Sequence, residues 1–196
     1  MGSSISWVCV QGNDPLSVKT TLSLRHVGPA HQPFEAHYTG LDLGRRGYLI
    51  AIDETIDPLV EDTALAVLSE QWKVIACQVE EHAMCSVAQC WSNGKKDWRV
   101  EHDAQSDLMH LHSEGYLPDE FYVIKERVLE WQKADKDDSV DYMFEVPCLV
   151  AWRLTGFKHD RGYVLGRSGL IEELAPSAAI HAGAQPREKG SWWKFW

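Results

Sequence analysis

The chain has 196 residues, 44% of them hydrophobic, and a formal net charge of -10, a size at which one domain buries most of the apolar surface its unfolded form exposes. No apolar run approaches the ~20 residues needed to cross a bilayer as a helix, and the start Met1 to Ser6 lacks the charged and apolar regions of a secretory signal. A cytoplasmic location is therefore expected, with no transmembrane segment.

Along the chain, Ile5 to Val10 reads as a first strand, and Asp14-Pro15 as the opening of a helix. Asp accepts hydrogen bonds from the free amides of a helix start, and Pro in the first turn has its φ already set. The segment from Leu49 to Leu59 repeats this pattern, with Asp57-Pro58 opening a helix over 59–69. Two successive β-turn-α units are predicted. Between them, 26–47 holds Gly28, Pro29, Pro33, Gly40, Gly44 and Gly47 and is expected to be a long loop.

The pattern then changes to successive strands over 73–81, 84–91, 98–102 and 108–113. Asn93-Gly94 joins two of them, because this pair supplies the positive φ values of a tight hairpin turn. Pro118 opens the clearest helix, with Phe121, Ile124, Val128 and Trp131 at helical spacing. A short strand over 142–146 and a last helix over 147–155, stopped by Gly156, complete the prediction. No element is assigned beyond His159; 175–190 has linker composition and 191–196 is an aromatic tail. The expected class is α+β: a single domain over 1–174 with a mixed or antiparallel sheet, two N-terminal β-turn-α units, a β-meander and packed helices.

Charge is unevenly spread. Residues 101–145 carry thirteen acids against four bases, and such a surface repels phosphate backbones and anionic lipid, which disfavours a nucleic-acid partner. As a docking face it would use Asp103, Asp107, Glu114, Glu126, Glu130, Asp137 and Asp138 to meet a basic protein. Trp192, Trp193 and Trp196 add aromatic anchors in the tail, expected to cover a groove of their own domain, to dock in a partner pocket or at a membrane interface, or to mediate self-association.

Five cysteines, an odd number without paired spacing, are expected to be reduced and mostly buried. His110 and His112, two apart, would share one strand face. With Trp98–His102 pairing so that 102 lies opposite 108, His102 would join them as a zinc or other divalent-metal set, with Asp103 and Asp107 nearby. No dinucleotide fingerprint is present, since Gly40, Gly44 and Gly47 are wrongly spaced and precede a strand. Gly166-Arg-Ser168-Gly169 is too short for a nucleophile elbow. No catalytic residues are assigned.

The runs Trp98-Arg-Val-Glu-His-Asp-Ala-Gln105, Val140-Asp-Tyr-Met-Phe-Glu-Val-Pro147 and Thr155-Gly-Phe-Lys-His-Asp160 resemble segments of uncharacterised bacterial proteins of similar length. The resemblance implies a bacterial source and carries no function or site residue. The sequence thus points to an acidic protein-binding module without a cofactor, such as an immunity or antitoxin protein that neutralises a basic toxin. The alternative is a metal-dependent hydrolase using His102, His110 and His112.

Overall fold

Burial on both faces organises the molecule. β1 (Ser4–Gln11) turns Ile5, Trp7 and Cys9 to one side and Val8 and Val10 to the other, and all five are buried. A strand that is apolar on both faces belongs at the centre of a sheet covered on both sides. In the computed structural model, which describes residues 2–12, 14–136, 140–166 and 169–177, β1 pairs antiparallel with β4 (Tyr48–Ile52) and β5 (Lys73–Glu80).

The sheet has nine strands in the order β2-β9-β3-β4-β1-β5-β6-β7-β8, each pairing antiparallel. β2 is Leu24–Ala30, β3 Tyr38–Asp42, β6 Cys85–Ser92, β7 Lys95–Asp103, β8 His112–Gly115 and β9 Ile171–Pro176. The helices α1 (Pro15–Thr21) and α2 (Asp62–Ser69) lie on one face, where Val18, Leu65 and Leu68 pack with Val8, Val10, Ile50 and Val74. α3 (Asp119–Ala134) and α4 (Glu145–Thr155) lie on the other, where Phe121, Ile124, Val128, Val146 and Val150 pack with Trp7, Ile75, Ala88 and Val100. The architecture is α+β, as expected.

The two Asp-Pro starts diverge. Asp14 caps α1 by accepting from Ser17 N at 3.1 Å. Asp57 accepts from Leu59 N at 2.8 Å but opens only a single 3₁₀ turn, Pro58–Val60. Glu61 is extended, with φ -68° and ψ 145°, so α2 begins anew at Asp62 instead of continuing from residue 59. Asp57 is buried and accepts a second bond from Tyr38 Oη at 2.7 Å, which ties the turn to the sheet.

The expected loop over 26–47 is instead two strands. Pro29 is tolerated because β2 is an edge strand, where a missing N–H costs no ladder bond, and the ladder shifts by a bulge between His26 and Gly28. Gly40 serves a close approach: a side chain there would overlap the Tyr48 hydroxyl, which crosses this point to donate to Glu172 at 2.7 Å.

β9 has no counterpart in the sequence prediction, yet it bridges β2 and β3. Its two buried residues, Ile171 and Leu174, are three apart and so face opposite sides of the sheet, one in each core. The predicted strand over 142–146 is also replaced. Glu145 N bonds back to the Tyr142 carbonyl, and helix α4 has already started when it reaches Pro147, a first-turn position where proline is tolerated. Gly156 ends α4 as expected, with φ 76°. The predicted hairpin is present, with Asn93 and Gly94 at φ 51° and 72°. No described helix is long and apolar enough to cross a membrane.

Candidate functional site: an open cleft on the sheet

Strands β5, β6 and β7 are covered on the α2 side at one end only. There Leu65 and Leu68 pack with Val74, Ala76 and Trp91. At the other end the same face is bare, and a cleft of about 550 Å³ opens between Gln78 and Glu80 of β5, Cys85 and Val87 of β6, Arg99, Glu101 and Asp103 of β7, and the connection at Thr55 and Ile56. The period-two alternation of β7 builds it: Trp98, Val100 and His102 are buried toward the helices, while Arg99, Glu101 and Asp103 face the cleft.

Each carboxylate is held by donors. Arg99 Nε donates to Glu101 Oε2 at 2.8 Å. Glu80 accepts from the Ser4 and Thr55 hydroxyls through Oε2 and from His82 N through Oε1. Burial alone would raise its carboxyl, but the bonds from Ser4 and His82 outweigh burial and hold it below the ordinary glutamate value. Asp103 is likewise lowered: burial opposes ionisation, while Cys85 Sγ at 3.2 Å, Ser106 Oγ and Gln105 N all donate to the carboxylate. The cleft thus sets three carboxylates against one guanidinium over a floor that includes Val87 and Ile56.

Cys85 is the one cysteine here that is not buried. Burial, the bond to Asp103 and the surrounding carboxylates push its thiol up to about 12. It is therefore protonated at neutral pH and no nucleophile. The other four cysteines are buried and unbonded to one another as disulfides, and burial pushes Cys9 and Cys90 up to about 12 as well.

The predicted histidine set is not brought together. The register pairs Glu101 with His112 and Trp98 with Gly115, three positions away from the expected alignment. An odd slip moves a side chain to the opposite face, so His112 lies on the cleft side and His102 on the helix side. His102 has both ring nitrogens engaged: Nδ1 is 2.6 Å from the His110 carbonyl oxygen and Nε2 is 2.8 Å from Asp141 Oδ2. Both partners are hydrogen-bond acceptors. Asp141 Oδ1 also accepts from Phe144 N, so this pair fastens β7 to the approach of α4. His110 Nδ1 accepts from Asp103 N at 2.9 Å. Among the described residues, no three His, Cys, Asp or Glu side chains are gathered as a metal ion requires.

The predicted acidic face is divided by the sheet. Asp103 is in the cleft, and Glu114 lies opposite Arg99 on the cleft side of β8. Asp107 closes a turn by accepting from Met109 N at 2.6 Å. Glu126 and Glu130 are exposed on α3, which covers the other face. Asp137, Asp138, Trp192, Trp193 and Trp196 lie outside the described residues.

Sequence reasoning overlooked Glu80, Arg99, Glu101 and Cys85 as one site. The alternation over 98–103 was the available signal; that α2 stops short of this end of the sheet was not visible in it. Comparison of the chain with protein-family models, with curated proteins and with solved structures gave no match.

Proposed function

We propose that the protein is a binding module whose cleft seats a basic, partly apolar segment of a protein partner, as an immunity or antitoxin protein does in capping a basic toxin. The observation that carries this reading is the cleft composition: an apolar floor beneath Glu80, Glu101 and Asp103, with Arg99 the one lysine or arginine among the described lining residues. A lysine or arginine side chain suits such a surface, because its alkyl stem lies on Val87 and Ile56 while its head reaches the carboxylates. The net charge of -10 steers a basic partner toward the molecule. A bacterial source and a cytoplasmic location belong to the same proposal, as does self-association through the aromatic tail.

Anisotropy titration of a labelled peptide of lysines, arginines and leucines tests the reading. The expected result is binding that weakens with salt and falls on the order of tenfold in Glu101→Gln combined with Asp103→Asn, at unchanged circular dichroism. Equal affinity in wild type and this variant would overturn it. The metal-dependent hydrolase gains no support from the side-chain geometry, since His102 is committed to Asp141 and His110.

A further inference from the structure

A second cluster lies between α3 and α4, on the side of the sheet away from the cleft. Two guanidinium groups rest on one indole there: Arg161 and Arg153 lie 4.9 Å and 5.5 Å from the Trp152 ring centre. Arg127 of α3 lines the same hollow of about 90 Å³, together with Trp131 and Val123. These two apolar side chains are 42% and 62% exposed. Among the described residues, the lysines and arginines that form ion pairs are Lys19, Lys96, Arg99 and Lys158. Among the described residues, no carboxylate lies within 4 Å of Arg127, Arg153 or Arg161, although the chain is strongly acidic.

We propose that this groove docks an acidic segment of a protein partner: a run of aspartate or glutamate carrying one apolar anchor. Three like charges gathered around the half-buried Trp152 and the exposed Trp131, with no counter-ion among the described residues, repel one another, and a ligand with carboxylates relieves that repulsion. The planar guanidinium fork matches a carboxylate in two parallel hydrogen bonds, and stacking on the indole holds the fork in place beforehand. The hollow between Val123, Trp131 and Leu149 then takes the anchor. A nucleic acid also presents anions to arginine and bases to tryptophan, but its dense charge meets the -10 of the whole chain, whereas a short peptide brings only a few carboxylates.

The test uses the full chain and a labelled peptide of aspartates and glutamates around a single leucine, read by fluorescence anisotropy at low salt. Saturable binding is expected, weakened on the order of tenfold in R153A/R161A and again when the peptide leucine is replaced by serine. These arginines are exposed, so the variant retains the fold. Cleft variants such as E101Q leave this affinity unchanged, which separates the groove from the proposed function above. No binding, equal binding by R153A/R161A, or saturable binding of a single-stranded oligonucleotide in place of the peptide would overturn the proposal.

Discussion

The two sides of β7 face opposite environments one residue apart. Trp98, Val100 and His102 point into the core beneath α3 and α4, while Arg99, Glu101 and Asp103 point into the open cleft. On the core side a buried polar group needs partners, and His102 has them in Asp141 and the His110 carbonyl. On the cleft side the charges stay partly hydrated and are free to exchange water for a ligand. Stability should therefore depend on the first side, and binding on the second.

The largest effect is expected at His102. His102→Ala removes the imidazole from the buried Asp141 carboxylate, which keeps only the Phe144 N–H, and from the His110 carbonyl, and breaking one member of a buried pair costs about 3–5 kcal/mol. Urea denaturation measures it; a loss below about 1 kcal/mol would mean that the pair is hydrated and that β7 has no closed side.

Glu172 of β9 comes next. It accepts from Lys19 at 2.7 Å, from Tyr48 Oη at 2.7 Å and lies 2.8 Å from His26 Nδ1. Burial works against its ionisation, but the bonds from Lys19, Tyr48 and His26 hold its carboxyl below the ordinary value of 4.5. A depressed folded value means that the native state favours the carboxylate more than the unfolded chain does. Its contribution is complete above about pH 4.5 and is lost as pH falls through the folded value. Glu172→Gln should cost roughly 1–3 kcal/mol at neutral pH and flatten the fall of stability below about pH 4.5, both read from urea midpoints across pH.

These residues also mark what could be read in the sequence. β7, the Asn93-Gly94 hairpin and the stripe of α3 were legible because alternation, turn chemistry and helical spacing are local. β9 was not, because its buried residues Ile171 and Leu174 serve two different cores and show neither period. β2 and β3 were hidden by Gly28, Pro29 and Gly40, whose reasons are an edge position and the passage of Tyr48, both set by distant partners. The histidine set depended on a register that no local pattern fixes, and on a strand over 108–113 where β8 runs over His112–Gly115, which leaves His110 ahead of it. The acidity near the cleft was legible, but the gap that makes a cleft was not.

A smaller effect concerns Cys85, which reports the cleft electrostatics directly. With its thiol pushed up to about 12, iodoacetamide should label the native protein slowly at neutral pH, while all five cysteines react in urea. Asp103→Asn replaces a carboxylate acceptor with a weaker neutral amide oxygen and removes one of the negative charges that hold the thiol protonated, so labelling of Cys85 should quicken by roughly several-fold. Unchanged labelling would indicate that Asp103 faces solvent and not the cleft.

The smallest expected effect separates charge in sequence from charge in space. Glu126 and Glu130 belong to the same acidic stretch as Glu101 and Asp103, but α3 lies across the sheet from the cleft. Both are exposed and unpaired with any described lysine or arginine within 4 Å, so Glu126→Gln with Glu130→Gln should change stability by no more than about 0.5 kcal/mol. The sheet lies between them and the cleft, and exposed charges separated by more than about 10 Å are largely screened at 0.1 M salt. Affinity for a basic peptide should then stay within about twofold of wild type, while Glu101→Gln with Asp103→Asn loses on the order of tenfold. If the α3 pair lowered affinity as much as the cleft pair does, the negative charge would act as one diffuse field around the molecule, and the cleft would lose its claim to be where the partner sits.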